Sequence, residues 1–248
     1  MSAIELVWFP GSCSRVSLIA LEEIGAPFTA TVVPFGWRES LEYRELNPKG
    51  KVPTLIIDGV RFTETLAIVM HLARTHPDAR LLPNGDPLVE IDVLTMMAWF
   101  ASGLHPLVAR LRFPKLVNDD PASFERTRAM AAKELQASFA IVEQRLADRE
   151  WLYEDWSIVD GYQLWCWFRA IGSGMDGSDF PRCAALRWAC SAQRTEAERR
   201  PSTGSRGVRI RATGVLGQPG REAPTTPGRP GAPSSHARRG VSPRGCVG

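Results

Sequence analysis

The segment NPKGKVPTLIIDGVRFTETLAIVMHLA, residues 47–73, limits the possible folds of this chain more than any other stretch. Apolar residues from 52 to 57 predict a strand that is entered through a proline, and Asp58-Gly59 is typical of a two-residue hairpin turn. Residues 60–63 predict the returning strand, and the acidic and hydroxyl side chains that follow suit the N terminus of a helix. The segment therefore predicts a β-hairpin followed directly by a largely buried helix.

The residues before this segment predict a strand, a helix and a second strand. Residues 4–9 indicate a short buried strand, and an amphipathic helix begins at Ser14 after a Pro-Gly turn. Residues 28–35 form a second apolar run, and a short polar helix is predicted at 38–46. The combined order, βαβ, a connecting helix, a hairpin and a last helix, is the thioredoxin arrangement of a mixed sheet between helices.

The chain changes character at LLPNGDP, residues 81–87, which is rich in proline and glycine and predicts a linker. Beyond it the apolar periodicity is helical, and helices are predicted from 88 to about 116, from 121 to about 147 and from 158 to about 171. The SIVD sequence at 157–160 has the spacing of a capping box, which we interpret as structural. Four tryptophans in this part are interpreted as core residues: Trp151, Trp156, Trp165 and Trp167.

The sequence thus predicts two domains and a tail. Residues 1–80 form an α/β thioredoxin-like N-terminal domain, residues 81–87 the linker, and residues 88–185 an all-α C-terminal domain. Residues 186–248 form an atypical tail that we expect to be mostly disordered. From about Glu198 it is made of Gly, Pro, Ser, Thr and Arg with scattered apolar residues, which bury too little surface to offset the entropy of ordering.

The positive charge of the chain is concentrated at its end. Residues 183–248 contain 12 Arg, 3 Glu and no Lys or Asp, a net charge of +9, whereas the whole chain has +3. Residues 1–182 therefore have a net charge of −6, and we infer no nucleic-acid surface on the folded part. The five cysteines are odd in number and show no C-x-x-C spacing, so no disulfide framework or dithiol metal site is predicted.

A cytoplasmic location is expected from two features of the sequence. No apolar run reaches the roughly 18 residues of a membrane span. The N-terminal residues also lack the charged start and long apolar centre of a signal peptide.

A single cysteine lies at the predicted start of the first helix, in PGSCSRVSLIALEE. Unpaired backbone N–H groups and the helix dipole favour an anion there, and a thiol at such a position has its pKa lowered toward the reactive thiolate. Alternatively Cys13 is a small apolar side chain, and Ser12 or Ser14 caps the helix. These residues leave both interpretations open.

Several motifs together resemble the cytosolic glutathione S-transferases over roughly residues 4–185. NPKGKVPTL is similar to the family's loop into its cis-proline strand, FTETLAI to its glutamate-plus-hydroxyl turn, and SIVDGY to its helix-capping motif. The PGSCSRVSLIALEE segment is most similar to the bacterial beta class. The chain departs from the family after residue 185, where members continue with further packed helices.

The resemblance implies that Cys13 lies beside the sulfur of bound glutathione and can form a mixed disulfide with it, with Ser14 adjacent. SGLHPL resembles the segment in which beta-class enzymes place a histidine near the sulfur, here His105. Without the resemblance, a lone histidine in an apolar helix is more often a core residue. The chemistry requires a donor because the glutathione thiol is mostly protonated at neutral pH, and its thiolate is the nucleophile.

Residues for the rest of glutathione follow from the same motifs. Its extended backbone can pair with a strand edge entered through Pro53, and Val52 would supply the pairing groups. Thr65, at a helix N terminus, can hold the γ-glutamyl carboxylate, while Glu64 accepts from the ammonium group. Lys49 and Lys51 are candidates to add charge toward the glycine carboxylate, and the alternative that they are solvated loop lysines stays open. The only cofactor implied is glutathione as co-substrate, and no metal site is predicted.

The leading function is conjugation of glutathione to small hydrophobic electrophiles, which segment 99–116 would contact on its apolar side. A homodimer is expected from the family. Glutathione-dependent thiol-disulfide exchange through Cys13 is a second possibility. A third is zeta-class maleylacetoacetate isomerase activity, although SCSRV lacks the tryptophan usual before its arginine. The fourth is a non-catalytic protein of this fold that binds glutathione or a protein partner.

Overall fold

The computed structural model describes residues 2–34, 36–83, 87–186 and 209–212. Its mixed five-stranded sheet takes four strands from the N-terminal part of the chain and one strand from residues 209–212. The strands are β1 (Ile4–Trp8), β2 (Thr29–Val32), β3 (Thr54–Ile57), β4 (Val60–Thr63) and β5 (Arg209–Ala212). Their order is β4-β3-β1-β2-β5, with β1 parallel to β2 and antiparallel to β3. Three helices accompany the sheet: α1 (Ser14–Ile24), α2 (Leu41–Leu46) and α3 (Thr65–Thr75). This confirms the thioredoxin-like fold that the sequence predicts.

The hairpin between β3 and β4 turns at the residues that the sequence indicates. Asp58 and Gly59 both have positive φ, 49° and 82°, as a two-residue turn of the favoured twist requires. The Asp58 carboxylate also accepts a hydrogen bond of 2.8 Å from the backbone N–H of Ala3, beside β1. The turn is therefore tied to the chain that enters the central strand.

The C-terminal part is helical as predicted, but its first long helix is interrupted. α4 (Pro87–Trp99) passes through a π-helical turn (Phe100–Leu104) into α5 (His105–Arg112). In this turn the N–H of His105 bonds the carbonyl of Phe100, five residues earlier. Pro106 explains the interruption because proline has no N–H and its ring clashes with the preceding helical turn. The helical stretch predicted from 88 to about 116 is therefore divided into two α-helices, a feature that the sequence analysis does not predict.

Two further long helices complete the helical part, α6 (Phe124–Arg145) and α7 (Ile158–Ile171), and residues 181–186 are also helical. Glu143 of α6 is buried, and its carboxylate accepts hydrogen bonds of 2.9 Å from the N–H groups of Arg182 and Cys183. A carboxylate at a helix N terminus is favoured by both the free N–H groups and the dipole. Residues 181–186 are thereby fixed to α6.

One contiguous cluster of buried apolar side chains connects the sheet to the helical part. In its helical half, Phe139 meets Trp167 edge-on at 5.0 Å, and Phe100 meets Tyr162 edge-on at 5.9 Å. Of the four tryptophans interpreted as core residues, all but Trp156 are fully buried. Since the core is shared, the domain boundary at residues 81–87 stays a prediction.

The stretch from Pro87 to Arg112 is long and apolar enough, by length and composition, to cross a membrane. It spans 26 residues, and its most apolar window has a mean hydropathy of 1.3. It contains the π-helical turn and contacts α6 and α7.

The tail holds one element that the sequence analysis does not predict. Residues 209–212, Arg-Ile-Arg-Ala, form β5 and pair in parallel with β2. Their alternation of charged and apolar residues is the period of a strand, and the outer edge of β2 offers unpaired backbone groups. The remainder of the tail predicted to be disordered lies outside the described residues.

The predicted capping box at the start of α7 is confirmed. The Asp160 carboxylate accepts hydrogen bonds of 2.8 Å from the backbone N–H groups of Ser157 and Leu152, and one of 2.9 Å from the Ser157 hydroxyl. All three residues are buried. The carboxylate therefore joins the preceding loop to the first turn of α7.

We expect Asp160→Ala to lower the free energy of unfolding by about 3 kcal/mol, because it leaves two buried N–H groups without an acceptor. Urea denaturation followed by circular dichroism measures this difference. Asp155→Ala, at an exposed position in the same loop, is the matched control and should change stability little. Equal stability of the two variants would contradict the capping role.

Candidate functional site

A cavity of about 750 Å³ opens between the sheet part and the helical part of the chain. Its walls come from the start of α1, the loop before β3, the start of α3, and the α4–α5 region. It brings together all the predicted site residues except Ser14: Cys13, Lys51, Val52, Pro53, Glu64, Thr65 and His105. Residues far apart in sequence thus meet at one concave site.

Cys13 lies immediately before α1 and is only 8% exposed. Its Sγ donates a long hydrogen bond of 3.8 Å to the carbonyl of Val52 across the cavity wall. Burial raises the pKa of the Cys13 thiol, and this effect exceeds the lowering by the nearby Thr65 hydroxyl. Of the two interpretations that the sequence leaves open for Cys13, the raised pKa favours the buried, protonated thiol, because desolvation outweighs the groups that lower the pKa.

Ser14 points away from the cavity, although it is the first residue of α1. Its hydroxyl accepts from the N–H of Phe9 at 3.1 Å and donates to the carbonyl of the same residue at 3.3 Å. It also forms a short hydrogen bond with the hydroxyl of Ser12. The hydroxyl therefore fixes the turn between β1 and α1, and the structure does not bring it to the site.

Two buried side chains, which the sequence analysis did not single out, fix the loop that contains Lys51 and Val52 by hydrogen bonds. The Tyr43 hydroxyl donates to the carbonyl of Lys51 at 2.7 Å, and the Asn47 amide donates to the same oxygen. Val52 precedes β3, whose pairing with β1 begins at Thr54, so its backbone groups lie outside that ladder. The Val52-Pro53 peptide bond is cis. The Asn-Pro-Lys-Gly motif, which begins at Asn47, was the sequence feature that could have pointed to this residue.

Glu64 and Thr65 lie at the N terminus of α3, as predicted. Glu64 has a φ of 72°, unusual for a residue with a side chain, and its carboxylate pairs with Lys49 at 2.6 Å. Thr65 is 6% exposed, and its hydroxyl forms no hydrogen bond of standard geometry within the described residues. An acceptor or donor entering the cavity could satisfy this hydroxyl.

His105 is the first residue of α5 and follows the π-helical turn directly. Burial is the main cause that lowers its pKa to about 4, and the charge of Lys51 adds to the shift. Its ring meets Trp165 edge-on at 4.6 Å. The imidazole is therefore neutral at physiological pH and presents one ring N–H and one acceptor nitrogen.

Trp165 also contacts the turn before α1, since its indole N–H donates to the carbonyl of Gly11 at 3.4 Å. Gly11 has a φ of 83°, and a Cβ there would lie 3.2 Å from the guanidinium of Arg169. Both backbone strain and the lack of space favour glycine. α7 thus holds the turn that leads to Cys13.

Tyr162 is a cavity residue that the sequence analysis missed. Its ring is buried between Phe100 and Trp165, and burial raises the pKa of its hydroxyl. The residue belongs to the SIVDGY motif, whose capping signal was recognised. Only the packing of α7 shows that the last residue of the motif reaches the cavity.

The charged groups of the cavity wall are mostly positive. Its lining includes three cationic side chains, Lys49, Lys51 and Arg110, and one carboxylate, that of Glu64. Among the described residues no group of three or more His, Cys, Asp and Glu side chains comes together to form a metal site. The site therefore favours a ligand with negative charge.

Comparisons with known proteins agree with this geometry. Residues 11–75 match the family model of the glutathione S-transferase N-terminal domain. Glutathione S-transferase GstA of Escherichia coli O157:H7 is 32% identical over 183 residues, covering 70% of this chain and 87% of that protein. A probable maleylacetoacetate isomerase of Caenorhabditis elegans is 36% identical over 119 residues, covering 47% of this chain and 54% of its own length.

Solved structures show the same architecture. A glutathione transferase homologue from Sulfitobacter with bound glutathione is 28% identical with a TM-score of 0.71, covering 77% of this chain and 94% of its own. The beta-class glutathione S-transferase of Sphingomonas chungbukensis is 28% identical with a TM-score of 0.68, covering 78% and 95%. From the family model and the likeness to GstA over most of its length, the chain belongs to the glutathione S-transferase family.

Proposed function

We propose that this chain binds glutathione in the cavity and transfers its thiolate to small electrophiles. The observation that carries the proposal is that Cys13, Thr65 and His105 line one cavity. They lie at or next to the first residues of α1, α3 and α5. The relatives named glutathione S-transferase and the structures with bound glutathione support it.

The charges of glutathione match the N-terminal wall of the cavity. The γ-glutamyl carboxylate fits the N terminus of α3 and the Thr65 hydroxyl, and the ammonium group fits the Glu64 carboxylate. The peptide backbone would pair with Val52, whose backbone groups lie outside the β3 ladder. Lys51, which is exposed beside this loop, is suited to the glycine carboxylate.

The sulfur would then lie between Cys13 and His105, both of which are neutral at physiological pH because of their burial. The S–H of Cys13 makes only a long hydrogen bond of 3.8 Å to the Val52 carbonyl, and it can turn from that carbonyl to donate to a thiolate. One ring N–H of His105 can also donate to the thiolate. Hydrogen bonds to the charged form of a group lower its pKa. We therefore assign both residues as donors that stabilise the glutathione thiolate.

The chemical step is nucleophilic attack by this thiolate. With an activated chloroarene, the sulfur forms a bond to the ring carbon while chloride leaves with the bonding electron pair. The opposite wall supplies apolar contacts for the electrophile, from Ala101, Pro106, Ala109, Leu116 and Val117. Such a wall accepts compounds of different shape.

A homodimer in the cytoplasm is part of the proposal. Apolar side chains are exposed on β4 and α4, at Val60, Phe62, Leu88 and Ile91, and such side chains are typical of a surface that another subunit covers. The three cysteines Cys13, Cys166 and Cys183 are free, which suits a reducing compartment.

Maleylacetoacetate isomerase activity is a second candidate, because several relatives with this name match part of the chain at 33% to 40% identity. In that reaction the thiolate adds to a double bond, the bond rotates, and the thiolate leaves again. Maleylacetone is a suitable substrate for the comparison. Isomerisation without net loss of glutathione would favour this candidate, whereas loss of one glutathione for each electrophile favours conjugation.

Replacing Cys13 separates conjugation from thiol-disulfide exchange. We expect Cys13→Ala to lower kcat/KM for a chloronitrobenzene about tenfold, the effect of losing one hydrogen bond of roughly 1.4 kcal/mol to the thiolate. Cys13→Ser keeps a donor and should retain more activity.

Full conjugation by Cys13→Ala together with complete loss of glutathione-dependent disulfide reduction would instead make exchange the function of the cysteine. Calorimetry of the wild-type chain with glutathione provides the second readout. Absence of binding there would contradict every enzymatic assignment and favour the non-catalytic protein.

The lowered pKa of His105 predicts a dependence of stability on pH. Its folded pKa of about 4 lies below the usual 6.5, so the unfolded chain binds a proton first as the pH falls. The contribution is complete well above pH 6.5 and is lost as the pH falls through 6.5 toward 4. Between pH 8 and pH 4, the wild-type chain should lose about 3 kcal/mol more unfolding free energy than His105→Gln.

Urea denaturation at a series of pH values measures this difference. Between pH 8 and pH 9, where His105 stays deprotonated in both the folded and the unfolded chain, the two proteins should show parallel curves. Parallel curves over the whole range would contradict a buried neutral imidazole.

A further inference from the structure

The charges of the cavity exceed those that glutathione requires. On the proposed function, Glu64 takes the ammonium group, Thr65 and the start of α3 take one carboxylate, and Lys51 takes the other. Arg110, on the opposite wall, then has no group of glutathione to bind. Because Arg110 lies on the wall that would contact the electrophile, its positive charge indicates which electrophiles the site prefers.

Arg110 lies where it can reach that second substrate. On α5, residues four apart share a face, so Arg110 follows Pro106 in a row beside His105 and Ala109. All four residues line the cavity. The row begins next to the proposed position of the sulfur and ends at the guanidinium, with apolar surface between.

The guanidinium of Arg110 is available to a ligand. The residue is exposed, and no carboxylate in the part of the chain that the structure describes lies within ion-pair distance of it. Two other cations each have a partner. Lys49 is paired with Glu64, and the guanidinium of Arg112 lies 5.2 Å over the ring of Phe113. Of these three cations, Arg110 alone both lines the cavity and lacks a partner in the described residues.

We propose that Arg110 selects electrophiles that carry a carboxylate, so that the preferred second substrate is a small anionic compound with an apolar body. The apolar side chains Ala109, Leu116 and Val117 would contact the body, and the planar guanidinium would bind the carboxylate in a bidentate manner. The reacting carbon is thereby directed toward the sulfur beside Cys13 and His105.

A matched pair of substrates tests this selection. In both, chlorine is flanked by two nitro groups, and the para position carries either a carboxylate or an uncharged carboxamide. Glutathione thiolate forms the carbon–sulfur bond in each, and chloride leaves. Dividing each kcat/KM by the uncatalysed rate constant for the same compound removes the difference in intrinsic reactivity.

We expect the corrected kcat/KM of the wild-type chain to favour the carboxylate at least tenfold, and Arg110→Gln to bring this ratio close to one. Arg112→Gln, on the same helix but with its guanidinium on Phe113, is the matched control and should keep the preference. The preference should also weaken as the salt concentration rises, because Arg110 is exposed.

Other outcomes separate the two proposals. A wild-type ratio near one, or a ratio that Arg110→Gln leaves intact, would overturn the selection while conjugation itself stands. A rise in the KM for glutathione with both substrates would also overturn it, by assigning Arg110 to the glycine carboxylate. Conjugation of neither compound by the wild-type chain would overturn the proposed function instead.

Discussion

The site depends on the desolvation of two side chains, Cys13 before α1 and His105 at the start of α5. Cys13 is buried against the Val52 carbonyl, and His105 is half-buried against Trp165, so the removal of water favours the neutral form of each. A site with these groups cannot stabilise a thiolate by a full charge at the sulfur itself. It must use neutral donors at short range and lysines farther away. Neutral donors act only when their positions are fixed, and the surrounding structure serves that purpose.

The fold fixes the donors through elements that are distant in sequence. The π-helical turn enforced by Pro106 ends at His105, so the interruption of the long helix determines where the imidazole begins the next one. Trp165 contacts both that ring and the turn at Gly11, and thus links the two donors through α7. A π-helical turn is less regular than an α-turn, and such turns are frequent at functional sites.

Local signals made much of this predictable, and tertiary packing accounts for the rest. The hairpin at Asp58 and the start of α3 depend on residues next to each other in sequence, and both were predicted. Ser14 does not line the cavity in the structure, because its hydroxyl bonds the backbone of Phe9; the sequence alone cannot show which of two adjacent residues at a helix start faces a site. Tyr162 was missed because the SIVDGY motif that contains it was interpreted only as a helix cap. The π-helical turn had a readable cause in Pro106, which the periodicity alone obscured.

The central claim is that this cavity lowers the pKa of a bound thiol by means of neutral donors. The most direct measurement is the ultraviolet absorbance of the thiolate as a function of pH, for glutathione bound to the wild-type chain and for glutathione alone. The account predicts that the bound thiol ionises at clearly lower pH than the free thiol. It also predicts that S-methylglutathione, which binds without an ionisable sulfur, gives no such signal. A bound thiol that titrates at the same pH as the free one would contradict the account.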